Sequence, residues 1–167
     1  TWPSAWAREW QPTTVPLADE ATRPNGVGWY RCWVKVPDNW ATLGGRDLWV
    51  ESVTLTIDSS HTAHEALING KRLGGAGSFP PNAKHSDGLA KRYKVPPGSL
   101  VKGKWNELAI KVFNRNGTGR FRGHGPSIQG YFLECLFGGE WEYRPGPEPA
   151  PGQMLETKPA RAAYDQF

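Results

Sequence analysis

Apolar and polar residues alternate along most of this chain in short runs, and glycine, proline, asparagine or aspartate closes each run. Period-two alternation puts successive side chains on opposite faces of an extended segment, so each run predicts a strand with one buried face. The clearest pair flanks Asn69-Gly70. Ala66 and Ile68 alternate before it and residues 71–73 follow, which predicts a two-residue hairpin with positive φ at both turn positions. Further strands are expected at 29–36, ended by Pro37, and at 48–57, with Val53, Leu55 and Ile57 inward and Thr54 and Thr56 outward. Others are expected at 91–95, 105–113 and 128–137. In 105–113, Leu108, Ile110 and Val112 share one face, and Glu107 and Lys111 share the other, read as solvent-facing. Many short strands joined by turns predict an all-β, two-sheet antiparallel β-sandwich.

The remainder divides into ends and long connections. Residues 1–27 form an N-terminal extension in which Trp2, Trp6 and Trp10 recur every fourth residue behind Ser4, a candidate N-cap. That spacing predicts a short helix or helical turn whose indoles plug one open end of the sandwich. Pro12, Pro16 and Pro24 make the rest of it an irregular approach. Residues 28–139 hold the sandwich, and 140–167 read as a linker, RPGPEPAPGQ, followed by a tail without a convincing strand. That tail is held either by the domain or by a partner. Residues 74–90 and 114–126 are long loops without apolar periodicity, and such loops in small domains usually carry function or lack order.

Four of the strand segments, in order, resemble one known family. They are Gly28-Trp29-Tyr30-Arg31-Cys32-Trp33-Val34-Lys35-Val36-Pro37, then Glu65-Ala66-Leu67-Ile68-Asn69-Gly70, then Arg92-Tyr93-Lys94-Val95-Pro96, and finally residues 100–106 with Trp105-Asn106 running into 108–112. Together they are similar to the galactose-binding-like jelly roll found beside the catalytic domains of family 2 glycoside hydrolases and sialate O-acetylesterases, over about residues 28–137. The resemblance implies a jelly roll whose loops gather at the ends of the sandwich, with a glycan bound at one end. It also implies a place in a larger secreted or periplasmic bacterial protein, and it allows for a structural calcium. It specifies the fold better than the ligand, because one fold hosts many functions.

Composition narrows this reading. A chain of 167 residues suits one domain able to bury a core without metal or disulfide staples. No run approaches the roughly 18–20 apolar residues that would span a bilayer. The chain begins at Thr1 without a methionine and is expected to be a trimmed or processed piece. A net charge of +4 favours anions modestly, and the basic residues concentrate between Lys84 and Lys111, with Arg115, Arg120 and Arg122 beyond. Cys32 shares a parity with Tyr30, Val34 and Val36, and Cys135 with Tyr131, Leu133 and Phe137, so both are expected in the core. Two buried thiols are the preferred reading, a disulfide the alternative.

Catalytic signatures are absent from the sequence, and the carboxylates Asp58, Glu65, Asp87, Glu107 and Glu134 are scattered, so no enzyme is expected. His61, His64, His85 and His124 all fall in expected loops; His61 and His64 have the spacing of a metal pair but read more simply as solvated. Asp38, Asp47 and Asp58 are the oxygen donors nearest a calcium site, without an Asp-rich run, and no other cofactor is expected. Nucleic acid is a poor match for so modest a charge.

Sugar recognition fits best. A pyranose offers an apolar C–H face and a rim of hydroxyls, so its site needs an aromatic ring beside planar hydrogen-bonding groups. Phe79, Asn82, Lys84 and His85 lie in one long loop, Arg115, Asn116, Arg120, Phe121, Arg122 and His124 in the other, and Trp40 in a third. If these loops share an end, Arg120 and Arg122 can clamp a carboxylate or sulfate while Phe121, Phe79 or Trp40 stacks on the ring. The bland alternative makes the arginine loop a solvated turn and Phe121 its anchor to the core. Trp33 offers a flat-face platform for a chain-like glycan, unless the N-terminal indoles or the tail cover it, which is preferred. The expectation is a non-catalytic carbohydrate-binding module for a polysaccharide, acidic if the arginines bind it, with the other domains of the parent protein as partners. The alternative is a structural or docking domain that binds no glycan itself.

Overall fold

Asn69 and Gly70 both take positive φ, 50° and 83°, as the hairpin pattern requires. The computed structural model describes residues 9–16, 25–38, 42–43, 46–47, 53–115, 119–130 and 134–165. Trp2, Trp6, Trp40, Asn116, Tyr131, Leu133, Phe167 and the first half, 48–52, of the expected strand 48–57 lie outside them. Within them the elements are β1 (Gln11–Val15), β2 (Gly26–Lys35), β3 (Thr42–Leu43), β4 (Arg46–Asp47), β5 (Thr54–Ile57), β6 (Ala63–Ile68) and β7 (Lys71–Ala76). They continue with β8 (Lys91–Lys94), β9 (Trp105–Asn114), β10 (Ser127–Gln129), β11 (Glu134–Leu136), β12 (Gly139–Pro145) and β13 (Ala163–Tyr164). No helix occurs among the described residues, so none there could cross a membrane.

The larger sheet runs β1-β12-β2-β9-β6-β7, the smaller β11-β10-β5-β8, and β3 pairs with β4 apart from both. All these pairings are antiparallel; β13 alone adds a parallel contact to β2. Register explains the core. Tyr30 lies opposite Ile110 and Cys32 opposite Leu108, while Ala66 and Ile68 meet Ile110 and Leu108 from the other side. Leu55 of the facing sheet lies between Ile128 and Tyr93. These residues form one cluster with Val34, Ile57, Phe137 and Trp141, and each large apolar side chain so buried contributes about 2 kcal/mol. The chain is an all-β sandwich of two antiparallel sheets, as the alternation predicts.

Several boundaries differ from expectation. Residues 11–15 are not an irregular approach but the edge strand β1, where Pro12 costs little because an edge strand has a free side for a residue without an N–H. The expected strand 128–137 is two strands, β10 and β11, paired with each other on either side of Gly130 and residues 131–133. Residues 140–145, read as the start of a linker, belong with Gly139 to β12, which lies between β1 and β2. Trp141 and Tyr143 face the core there, while Glu142 and Arg144 face outward. The tail packs on the domain, since Leu155 exchanges two backbone hydrogen bonds with Trp105 (2.9 and 3.0 Å) and the Tyr164 hydroxyl donates to the Glu140 carbonyl at 2.9 Å. Cys32 and Cys135 are both in the core and are not joined; burial, above all, raises the Cys32 thiol pKa.

Candidate functional site

Three connections meet at one end of the sandwich, and Thr62 joins them. Its N–H donates to the Phe113 carbonyl at 3.0 Å, its carbonyl accepts from the Ser86 N–H at 2.9 Å, and its hydroxyl accepts from the Arg115 N–H at 3.4 Å. Arg122 ties the same connections with its side chain. Nη2 lies 2.7 Å from Asp58 Oδ1 and donates to the carbonyls of Ser59 and Gly88, while Nε donates to Asp58 Oδ1 at 2.8 Å. The two long loops therefore share an end, the condition on which the sugar-binding expectation hung.

The expected ligand residues do not all sit there in the expected way. Lys84, His85 and Arg115 are exposed. Phe79 is half-buried, with Lys111 Nζ 4.4 Å from its ring centroid. Asn82 is exposed and its carbonyl accepts from the Ser78 hydroxyl at 2.7 Å. Arg120 is half-buried, its N–H donating to Ser60 Oγ at 3.1 Å. Phe121 cannot stack on a sugar. It is 2% exposed and meets the rings of Tyr30 (5.1 Å), His61 (5.0 Å) and Trp141 (6.4 Å), so it anchors its loop to the core. Arg122 fixes loops together instead of projecting from them. His124 is exposed and lies elsewhere, on an open depression of ≈ 490 Å³ beside Val15, Leu136 and Gly138.

His61 and His64 are not solvated loop residues; both are buried, and His64 lies in β6. Among the described residues no group of His, Cys, Asp or Glu side chains is placed to hold a metal. Burial, then the nearby His64, lowers the His61 pKa to about 3, and burial, then Lys91, lowers that of His64 to about 4. His64 Nε2 and the Tyr93 hydroxyl share a hydrogen bond of 2.7 Å. A histidine kept neutral in the fold takes up a proton on unfolding once the pH is below its ordinary value. Its stabilising effect is therefore complete above pH 6.5 and is lost as the pH falls from there toward 3. His61→Phe should flatten stability against pH between 6.5 and 4 by roughly one proton, about 1.4 kcal/mol per pH unit. Urea titrations at several pH values measure this, and an unchanged slope would show that His61 is already charged in the fold.

A second polar cluster occupies the outer face of the larger sheet, where the sequence suggests only a Trp33 platform, covered by the N-terminal indoles or the tail, and a solvent-facing Glu107. Arg31 is sandwiched between the rings of Trp10 (4.0 Å) and Trp33 (4.4 Å) and donates from Nε to Glu142 Oε2 at 2.8 Å. Glu107 lies 3.7 Å from Arg31 and accepts from the Gly152 N–H at 3.0 Å; Arg161 reaches Glu142 at 3.1 Å. Glu107 is not on a solvent face as expected: it is 1% exposed, and burial, above all, raises its pKa. Glu107 does lie on the outer face of the sheet that its parity predicts, but Gly152 of the chain after β12 sits over it.

Solved structures do resemble this chain. Bacteroides uniformis β-glucuronidase matches with 21% identity and a TM-score of 0.40, covering 72% of this chain and 12% of that one. Ruminococcus gnavus β-glucuronidase matches with 14% identity and a TM-score of 0.41, covering 78% and 22%. The chain thus spans 12% to 22% of the length of these enzymes, and at such scores the likeness decides neither membership nor ligand. No protein-family model and no curated protein matches it.

Sequence reasoning missed Thr62, which holds the loop end, and the cluster of Arg31, Glu142 and Arg144; it singled out Asp58 only as a scattered carboxylate and a calcium donor, whereas Asp58 pairs with Arg122. The alternation of Trp141 and Tyr143 with Glu142 and Arg144 was a usable signal for β12. The proline run after it drew the segment into a linker.

Proposed function

We propose that this chain is a non-catalytic carbohydrate-binding domain of a larger secreted bacterial sugar-active protein, and that its loop end takes an acidic polysaccharide. The observation that supports this is the joining of the loops through Thr62 and Arg122, which leaves Lys84, His85 and Arg115 exposed at the end that Phe79 borders. Basic groups there suit carboxylate or sulfate, and a half-buried ring suits the C–H face of a sugar. Within this reading Arg115 and Lys84 take the anion-binding role, since Arg122 is engaged by Asp58 and by the carbonyls of Ser59 and Gly88. The acids favour binding over catalysis: Asp58 is paired with Arg122, Asp87 with Lys91, and Glu107 and Glu142 lie beneath the tail.

Lys84→Ala with Arg115→Ala should weaken binding to polygalacturonate about tenfold, by loss of charge-assisted contacts, and shift the melting temperature by no more than about 2 °C. Calorimetric titration in low and high salt measures the first, since exposed charges are screened. Equal affinity of the double variant and the unaltered chain removes the loop-end site, and absence of any glycan bound by the unaltered chain removes the function. One observation favours the alternative of a structural or docking domain: the aromatic outer face is covered by the tail, as in a domain whose role is to pack.

A further inference from the structure

The outer face of an antiparallel sheet in a two-layer sandwich ordinarily meets water. Here residues 146–162 leave β12 and cross that face of the larger sheet as a strap. Arg144 Nη2 donates to the carbonyls of Glu148 and Pro149, Gly152 donates to Glu107, Leu155 pairs with Trp105, and Arg161 reaches Glu142. On this face, which the strap shares with Trp10, Trp29 is 3%, Trp33 5%, Glu107 1% and Arg144 7% exposed. Four buried polar atoms on this one face, Trp29 Nε1, Trp33 Nε1, Arg144 Nε and Glu107 Oε2, have no hydrogen-bond partner, and Glu107 Oε2 has only the 3.7 Å ion pair to Arg31. Buried polar groups are almost always paired, so four orphans gathered on one face mark a surface that its present cover does not match.

We infer that this face is a second carbohydrate-binding surface, for an extended neutral glycan, and that the strap is its resident stand-in. The orphans are three donors and one acceptor. Hydroxyls serve both kinds, whereas Pro147, Pro149 and Pro151 of the strap have no N–H to offer Glu107. Trp29 and Trp33 are four residues apart on β2, about 13 Å, with Arg31 between them and Trp10 over Arg31. A row of indoles interleaved with guanidinium and carboxylate groups combines the stacking and hydrogen bonding that sugar rings require. Charge sets this face apart from the loop end: Arg31 and Arg144 balance Glu107 and Glu142, so a neutral chain fits where an acidic one suits the basic loops. The inference goes beyond the loop-end reading and stands if that reading fails.

Gly152 has a φ of 72°, and a Cβ added there would lie 2.8 Å from the Gly70 Cα. Gly152→Pro therefore cannot keep the strap in place and also removes the N–H donated to Glu107. In that variant cellohexaose should bind at least tenfold more tightly than in the unaltered chain, read as a change in tryptophan fluorescence, and Trp33→Ala added to it should abolish the change. Lys104→Ala with Arg161→Ala, which removes an exposed ion pair and a half-buried one between the strap and the domain, provides the same comparison should Gly152→Pro not fold. In the unaltered chain at saturating cellohexaose, the Gly152 and Leu155 amides should exchange with solvent about tenfold faster, because the sugar displaces the strap. Failure of a folded, strap-loosened variant to bind cellohexaose or xylohexaose overturns the inference, as does bound sugar that leaves both amides protected. Loss of polygalacturonate binding alone, with cellohexaose binding intact, would strike the loop end and leave this face standing.

Discussion

Asn106→Ala should lower the stability of the sandwich by about 4 kcal/mol and the melting temperature by roughly 10 °C, more than the loss of any exposed charge. Asn106 is fully buried, and its amide joins four segments. Oδ1 accepts from the Val101 N–H and from Asn69 Nδ2, both at 2.8 Å. Nδ2 donates to the carbonyls of Lys104 (2.9 Å), Val101 (3.0 Å) and Val34 (3.2 Å). Alanine leaves these groups buried and unpaired, and each buried orphan costs about 1–3 kcal/mol before relaxation. The hairpin turn is also involved, because Asn69 Oδ1 accepts from the Glu107 N–H at 2.9 Å. Urea unfolding measures the change; a loss below about 1 kcal/mol would mean that water or neighbouring chain replaces the amide at little cost.

Asn106 illustrates what a sequence can and cannot tell. The pair Trp105-Asn106 helped to reveal the family resemblance, yet nothing in spacing or composition says that the amide fastens β9 to β2, to the turn and to the 101–104 loop. Strand positions were legible where alternation was strong, as in β2, β6 and β9, because burial of one face imposes a period of two. β12 was not, because Gly138 and Gly139 open it and Pro145, Gly146 and Pro147 close it, so its short alternation stands among turn and linker residues.

Alternation also reports only the side of a sheet that a residue faces, not what lies over that side. Glu107 and Lys111 were assigned correctly to one face, but Glu107 is sealed beneath Gly152 while Lys111, four residues on, stays half-exposed beside Phe79. The cover comes from residues more than forty positions away, a long-range pairing that no local pattern encodes. The loop end has the same character. That Arg122 reaches Asp58 and Gly88 follows from how the connections close, and a guanidinium in a glycine-rich loop reads identically whether it grips a ligand or its own backbone.

Phe121→Ala tests that ambiguity directly and should cost about 4 kcal/mol, the usual penalty for emptying a buried phenylalanine site. The ring sits among Tyr30, His61 and Trp141, and its backbone bridges Ser59, so its loss leaves a void at the base of the arginine loop. A ligand-stacking ring behaves differently: its removal leaves the melting temperature in place and abolishes sugar binding. The two measurements therefore separate the roles. Thermal unfolding should shift down by roughly 10 °C, while polygalacturonate affinity, taken well below the lowered midpoint, should change less than in the variant lacking Lys84 and Arg115. An unshifted midpoint with binding abolished would place Phe121 in the site and Arg115 outside it. Stability should return in part with Phe121→Leu, which refills most of the volume with an apolar side chain. Such recovery is the signature of packing, since a branched aliphatic chain cannot offer a sugar the flat face of an aromatic ring.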